Sequence, residues 1–192
     1  MNDRIKREIR EWSESIAIAL VLALVIRSFV VQAFKIPSGS MIPTFLVGDR
    51  IFVNKFLYGA RIPFIDIRLP AVRQPERGDI IVFRSPEDKK KDFVKRLIAL
   101  GGETVEIRDG TIYVDGKAVT YPPIVKSIYY YNRGDYGRED EKITVPKDSL
   151  YVLGDNSASS RDSRYWGFVP KKNLVGKASF LYWPIHRIKV IS

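Results

Sequence analysis

The chain has 192 residues, of which 45% are hydrophobic and 28% charged, and its 32 basic and 22 acidic residues give a formal net charge of +10. This composition is typical of a globular protein with a sizeable core, and the charge suits nucleic acid, an anionic membrane surface or an acidic partner. The absence of cysteine excludes disulfides, a thiolate nucleophile and cysteine metal sites. The single histidine, His186, argues against a histidine-based triad or a multi-histidine metal site, and we expect neither a metal nor an organic cofactor.

The N-terminus combines a charged start with a long apolar run. Residues 1–14 mix basic and acidic side chains, as a solvated helical segment does, and the 19 residues from Ile16 to Phe34 contain one charge, Arg27. A membrane-spanning helix needs about 20 mainly apolar residues, and Arg27 is near enough to one end to snorkel. We predict one transmembrane helix over residues 15–34. A cleavable signal peptide is the main alternative; an amphipathic surface helix is disfavoured because the first half of the run is apolar on all sides.

The basic residues around this run determine its predicted orientation. Four Lys or Arg residues precede the run, whereas Lys35 and Arg50 are the nearest ones beyond it. Loops with an excess of Lys and Arg stay in the cytoplasm. We therefore predict a single-pass protein of the cytoplasmic (inner) membrane, with residues 1–14 in the cytoplasm and residues 35–192 on the extracytoplasmic (periplasmic) side.

The stretch from residue 34 to residue 44, FKIPSGSMIPT, has the features of a constrained loop. Pro37 and Pro43 fix φ at two points and Gly39 permits a tight turn between them. Such a loop can hold a side chain in one direction, and Ser40 is the candidate nucleophile. The local alternative is a Pro/Gly/Ser linker between an anchor and a domain.

The body from residue 35 onward is predicted to be mainly β. Apolar runs bounded by turn residues predict strands in residues 47–57, 80–83, 150–153 and 178–182. Residues 92–119 contain three further strand signals, separated by Gly–Gly and Asp–Gly turns. Residues 120–146 are rich in tyrosine and in mixed charge, and we predict a hairpin-rich surface excursion there.

Lys95 is the candidate general base. Strand alternation places it between Phe93 and Leu97 on one face, so that burial would lower the pKa of the amine and favour its neutral form. A neutral lysine can activate a serine, and a hydroxyl such as that of Ser160 can orient the amine. The alternative is an ordinary edge lysine whose stem covers apolar surface.

Supporting roles are predicted for two other sets of polar groups. An oxyanion hole needs fixed donors, for which the backbone N–H of Ser40 and the hydroxyl of Ser38 are candidates. In the loop GDNSASSRDSR, Asp162 and Arg164 share a face of an extended segment and are expected to pair, with Asp155 as a second carboxylate for the arginine. We expect these carboxylates to support the structure and not to transfer protons; a satisfied turn network is the alternative.

Together with the apolar run, four motifs resemble those of bacterial type I signal peptidases (leader peptidases, serine protease family S26): FKIPSGSMIPT, RGDIIVF, FVKRLIALGGE and GDNSASSRDSRYWGFVP. Members of that family are membrane-anchored Ser–Lys proteases, and the resemblance implies the β-rich signal peptidase fold behind one N-terminal anchor. The site residues that it implies are the nucleophile Ser40, the general base Lys95, the oxyanion-hole side chain Ser38, the orienting hydroxyl of Ser160 and the supporting residues Asp155, Asp162 and Arg164.

The same resemblance implies a substrate, the signal peptide of an exported preprotein, cut at a small-x-small (Ala-x-Ala) site. Shallow apolar pockets would accept small side chains, and the extended substrate would add as a strand beside residues 82 and 93–95. The pocket for the residue before the cut would contain Ile36, Met41, Phe45 and Val94, and the pocket two residues upstream would contain Phe34, Ile51 and Val82. One departure concerns the stability of the polar loop: Ser157 and Ala158 stand where the family usually has an Arg–Asp pair.

The sequence is compatible with three classes of protein. The first is the endopeptidase, expected to act as a monomer on preprotein signal peptides at membrane lipid and without nucleic acid. The second is a DNA-binding repressor with a self-cleaving Ser–Lys domain, which would explain the basic charge but needs a helix-turn-helix where the chain has an apolar run. The third is a membrane-tethered binding module, in which Ser40 and Lys95 would be incidental. The combination of motifs favours the enzyme.

Overall fold

The structure, a computed structural model, describes residues 3–62 and 67–191. Helix α1 (Asp3–Val25) continues into a π-helical turn (Ile26–Val30), and two short helices follow, α2 (Pro123–Ser127) and α3 (Ser163–Trp166). The strands are β1 (Val31–Lys35), β2 (Arg50–Asn54), β3 (Ile80–Arg84), β4 (Asp92–Leu100), β5 (Thr104–Arg108), β6 (Thr111–Val114), β7 (Lys117–Ala118), β8 (Ile143–Thr144), β9 (Ser149–Leu153), β10 (Val169–Pro170), β11 (Leu174–Trp183) and β12 (Lys189–Val190). The body is mainly β, as the sequence predicts.

Helix α1 begins among charged residues and ends within the apolar run. Its apolar side chains, such as those of Ile16, Leu20 and Leu24, are more than half exposed. The helical segment stops before β1, which pairs antiparallel with β2, so the last residues of the helix expected over 15–34 are a strand. The reason is non-local, because hydrogen bonds to β2 satisfy this backbone and an apolar run cannot reveal such a partner. Within the described residues, no helix is both long enough and apolar enough to cross a membrane.

The larger sheet of the described residues has eight antiparallel strands. Its order is β1-β2-β11-β3-β4-β9-β10, with β12 paired to β11. Strand β3 is central, and its Ile-Ile-Val-Phe run is buried throughout, as is typical of a strand covered on both faces. Strands β2, β3, β9 and β11 confirm four of the predicted strand regions.

A second antiparallel sheet contains four strands in the order β7-β6-β5-β8. The β5–β6 hairpin turns through Asp109 and Gly110, whose φ values of 48° and 73° are the positive values that a type I′ turn requires. The predicted Asp–Gly turn is therefore confirmed. The excursion over residues 120–146 differs from the expected hairpins, since it contains the short helix α2 and the two-residue strand β8. Pro123 at the first turn of α2 favours this start, because its fixed φ suits a helix and its missing N–H is not needed there.

Clusters of buried apolar side chains connect these layers. One cluster joins the small sheet to β4 and β9. Another joins β2, β3 and β11 to the loop after β1, through side chains such as Ile36, Met41 and Phe45. Because this second cluster includes the loop, the candidate nucleophile lies on a packed layer.

Candidate active site

The loop that carries Ser40 is fixed on two sides. A single 3₁₀ turn, Gly39–Met41, forms its centre, and Met41 is 1% exposed within the apolar cluster. From the other side, Asn156 donates its backbone N–H to the Ser40 carbonyl and its side-chain amide to the Gly39 carbonyl, each over 3.0 Å. These contacts exclude the linker interpretation.

Lys95 reaches the candidate nucleophile from strand β4. Its Nζ lies 2.6 Å from the Oγ of Ser40, within hydrogen-bond distance. The lysine is 4% exposed, and its Nζ lies 5.9 Å from the centroid of the Phe93 ring. The structure thus brings the predicted nucleophile and the predicted base into direct contact, and Lys95 is not an edge lysine in solvent.

Burial determines the protonation of this amine. It lowers the pKa of Lys95 to about 8, with Asp162 and Asp155 opposing the shift and Arg164 adding to it. Both carboxylates are bound to arginines, Asp155 to Arg96 and Asp162 to Arg164. Lysine 95 is therefore surrounded by charges that are already paired, and a large fraction of its amine is neutral near pH 8.

Gly154 brings Ser160 close to the nucleophile's backbone. A Cβ at position 154 would lie 2.2 Å from the Ser160 Oγ and 2.5 Å from the Ser40 carbonyl oxygen, so no side chain fits there. The Ser160 hydroxyl is buried and has no hydrogen-bond partner in the described part of the chain, and its orienting contact with Lys95 stays a prediction. Sequence reasoning missed Gly154, although a glycine at the end of a strand often marks a close approach of this kind.

Asp162 and Arg164 form the expected pair, which is confirmed. The Nε and Nη2 of Arg164 donate to the two carboxylate oxygens over 2.8 Å, and both side chains are 0% exposed. Asp162 lies at the N-cap of α3 and also accepts the Gly154 N–H over 3.0 Å. The pair therefore joins the start of α3 to the end of β9, and its setting is a helix N-terminus, where we expected an extended segment.

Asp155 binds Arg96 and not Arg164, as a correction to the sequence expectation. The Nε and Nη2 of Arg96 donate to its carboxylate over 2.8 and 2.7 Å, and the Thr44 hydroxyl donates to it as well. The two side chains of the ion pair are 2% and 0% exposed. Strand pairing explains the choice: Arg96 lies opposite Leu153 in the β4–β9 register, so Asp155 follows β9 directly beside it. Local spacing could not identify this partner.

Ser157 and Ala158, where the chain departs from the family pattern, connect the polar loop to the excursion. The Oγ of Ser157 accepts the Tyr131 N–H over 3.0 Å and the Nη1 of Arg164 over 2.9 Å. Arg133 donates to the Ala158 carbonyl over 2.7 Å. The loop is thus stabilised here by a buried hydroxyl and a backbone carbonyl in place of a charged pair.

A groove of about 330 Å³ opens beside the Ser–Lys pair. Ser38 lines it and is exposed, in an extended conformation without a capping bond. Four of the seven predicted pocket residues also line the groove: Phe34, Ile36, Met41 and Val94. The other three, Phe45, Ile51 and Val82, are 0% exposed in the same apolar cluster, so they form its inner layer. Their contact with a substrate stays a prediction.

The chain is similar to known proteins over most of its length. A family model described as signal peptidase, peptidase S26, matches residues 9–183. Signal peptidase I of Pseudomonas aeruginosa is 37% identical over 207 residues, covering 91% of this chain and 73% of that protein. Signal peptidase I of Leptolyngbya laminosa is 40% identical over 185 residues, covering 93% and 81%. A crystal structure of a signal peptidase I from Enterococcus faecalis V583 is 34% identical and covers 57% of this chain and 100% of that chain, with a TM-score of 0.48. From the family match and the similarity to these relatives, the chain belongs to the signal peptidase family, peptidase S26, and is a serine protease.

Proposed function

We propose that this enzyme removes signal peptides from exported preproteins at Ala-x-Ala sites, with Ser40 as the nucleophile and neutral Lys95 as the general base. Membership in the signal peptidase family supports the reaction. The single observation that carries the mechanism is the 2.6 Å distance from the Lys95 Nζ to the Ser40 Oγ in a nearly buried site. A buried amine next to a serine hydroxyl is the arrangement that a Ser–Lys protease needs.

The acylation step follows from this geometry. Neutral Lys95 accepts the hydroxyl proton of Ser40 while Oγ attacks the carbonyl carbon of the scissile bond. Negative charge develops on the carbonyl oxygen, and the Ser40 N–H and the Ser38 hydroxyl are the proposed donors to it. The Lys95 ammonium then gives its proton to the leaving amine, so the mature protein departs and the signal peptide remains as an ester of Ser40.

Deacylation uses the same amine a second time. Lys95, neutral again after protonating the leaving group, accepts a proton from a water molecule that attacks the ester carbonyl. Collapse of the second tetrahedral intermediate breaks the ester bond and returns the proton to the Ser40 Oγ. The enzyme is restored, and the signal peptide leaves with a new carboxylate.

Strand β4 has an open backbone edge beside the groove, to which an extended substrate could bind. Strand β4 pairs with β3 over residues 92–96, whereas its pairing with β9 begins only at Arg96. In the described residues, the other side of residues 92–95 is therefore available for main-chain hydrogen bonds to an extended peptide. Phe34 and Val94 would then face the substrate's small side chains, and the inner layer of Phe45, Ile51 and Val82 would limit the pocket depth.

Membrane anchoring is the second part of the proposal. The apolar side chains of α1 are exposed over a long stretch, and lipid is the solvent that would bury them. We propose that the helical part of the apolar run, up to Val30, attaches the enzyme to the cytoplasmic membrane, with the N-terminus in the cytoplasm and a monomeric catalytic body outside. If this segment anchors the chain, alkaline carbonate washing should leave it in the membrane fraction; release into the supernatant would contradict the anchor.

Cleavage of a purified preprotein tests the enzymatic part. The full chain is incubated with a preprotein that bears an Ala-x-Ala site, and the new N-terminus is read by mass spectrometry. A single cut after the second alanine is expected, and its replacement by leucine should abolish cleavage because a large side chain clashes with the pocket. The Ser40→Ala variant is the matched control and should leave the preprotein intact. Cleavage by that variant would refute the assigned nucleophile.

A further inference from the structure

A second cleft lies at the end of the large sheet where β1 begins. Its volume is about 170 Å³, and its walls come from β1, from the residues that follow β2 and end β3, and from the starts of β4 and β11. Four basic side chains and one acidic side chain line it, those of Lys55, Arg61, Arg84, Lys172 and Asp92. A concave site with this excess of positive charge attracts an anion.

Three of these cations, Lys55, Arg84 and Lys172, form no salt bridge among the described residues. Asp92, the acidic side chain of the cleft, attracts Lys55 and Arg84, so one carboxylate faces several cations. Arg61 is held differently, because its Nη2 donates to the Lys172 carbonyl over 2.9 Å. Of these three, Lys55 is the half-buried one, whereas Arg84 and Lys172 are exposed. Burial lowers the pKa of Lys55, Asp92 opposes the shift, and Arg84 and Arg27 add to it. An anion in the cleft would relieve both the burial cost and the repulsion between these cations.

The cleft adjoins both the N-terminal helical segment and the substrate groove. The backbone N–H of Lys55 donates to the Val30 carbonyl, the last residue of the π-helical turn, over 2.9 Å. Asp92 lines the cleft and also lines the groove beside the Ser–Lys pair. A ligand in the cleft would therefore touch the place where the proposed anchor enters the catalytic body.

We propose that this cleft binds a phosphate group through Lys55, Arg84 and Lys172. A phosphate offers several acceptor oxygens to donors that converge from different walls, and an arginine can bind two of them at once. A solvated basic rim, the plainer explanation, protects sheet edges from pairing but gives no reason to half-bury Lys55 where Arg27 and Arg84 repel it. Inorganic phosphate and the phosphate of an anionic lipid headgroup share this chemistry. The lipid source rests on the proposed anchor, whereas the anion site does not.

Calorimetric titration of the full chain in uncharged detergent tests the site. Three ligands are compared: inorganic phosphate, dihexanoyl phosphatidylglycerol and dihexanoyl phosphatidylcholine. The cleft variant combines Lys55→Gln, Arg84→Gln and Lys172→Gln. The matched control removes the same charge from exposed lysines on the small-sheet side of the chain, through Lys117→Gln, Lys126→Gln and Lys147→Gln.

Saturable binding of phosphate or phosphatidylglycerol is expected, with a Kd that rises about 10- to 100-fold in the cleft variant and stays unchanged in the control. Equal affinity for inorganic phosphate and phosphatidylglycerol would show that a free phosphate is sufficient for binding. Tighter binding of phosphatidylglycerol than of the other two would identify the lipid headgroup. Equal loss in the two variants, or no saturable binding, would overturn the site. Thermal unfolding checks that each variant is folded. If the triple cleft variant does not fold, the single variant Lys172→Gln replaces it in the titration, because Lys172 is exposed. Because this readout involves no proteolysis, its failure is distinct from a failure of the cleavage experiment.

Discussion

The two faces of strand β4 carry adjacent basic residues with opposite environments. On one face, Arg96 is bound through two nitrogens to the carboxylate of Asp155. On the other face, Lys95 is equally buried but contacts a neutral hydroxyl, that of Ser40, and its pKa falls to about 8. An arginine stays charged in a protein, so its pairing stabilises structure, whereas an unpaired buried lysine can exchange a proton. Burial favours a neutral amine that can act as a base only when no carboxylate is bound to it.

The largest effect is expected when Lys95 is made to resemble its neighbour. Lys95→Arg keeps a long basic side chain but cannot be neutral, so it cannot accept the Ser40 proton. We expect kcat for preprotein cleavage to fall by about 10⁴-fold or more, as when a member of a catalytic unit is removed. The rate is measured on the Ala-x-Ala preprotein at pH 9, where the wild-type amine is mostly neutral.

Lys91→Arg is the control for that substitution, since Lys91 is exposed, lies near the same groove and pairs with Asp88. It should retain the wild-type kcat within a few-fold. Retention of activity by Lys95→Arg would show that another group removes the serine proton.

The next largest effect is expected when the ion pair between Arg96 and Asp155 is broken. Asp155→Ala leaves the guanidinium of Arg96 buried without its carboxylate, which typically lowers the free energy of unfolding by about 3–5 kcal/mol. Asp135→Ala is the matched control, because Asp135 also pairs with an arginine, Arg138, over 2.8 Å but is 77% exposed. An exposed pair contributes little to stability, because water screens its charges. Urea unfolding measures both, and equal losses would mean that the Arg96 pair is not a structural element.

Sequence reasoning identified the role of Lys95 on one face of β4 but not the role of Arg96 on the other. Alternation and burial pointed to Lys95, the constrained loop pointed to Ser40 and Ser38, and the family resemblance implied the same roles for them and for Ser160. Arg96 could not be assigned, because its partner follows β9, 59 residues away, and only strand register brings the two together. The same limit applies to the apolar run, whose last residues became β1 by pairing with β2. Local patterns predict which residues are buried, but a non-local partner decides what burial does to them.

Gly154→Ala should have a smaller effect on catalysis. A methyl group at this position would lie 2.2 Å from the Ser160 Oγ and 2.5 Å from the Ser40 carbonyl oxygen. Because both distances are too short for a van der Waals contact, the loop must move. A displacement of about 1 Å at the reacting atoms costs on the order of 100-fold in kcat. Gly116→Ala is the control, since a Cβ there meets nothing within 4 Å and only its positive φ of 74° is strained. It should lower stability slightly and leave kcat unchanged; equal kcat for both variants would contradict the packing argument.

The smallest effect, and the sharpest test of the comparison, is the pH dependence of the intact enzyme. Because the neutral form of Lys95 is active and its pKa in the free enzyme is about 8, kcat/KM should fall about tenfold per pH unit below 8 and be constant above it. The free energy of unfolding should change in a different pH range. Between pH 10.5 and 8 the unfolded lysine binds a proton that the folded one does not, so the free energy of unfolding falls as the pH falls, and below 8 this contribution is constant. The variant His186→Gln removes the single histidine and should leave the rate profile unchanged. A value of kcat/KM that is constant from pH 6 to 10 would mean that Lys95 is not the base.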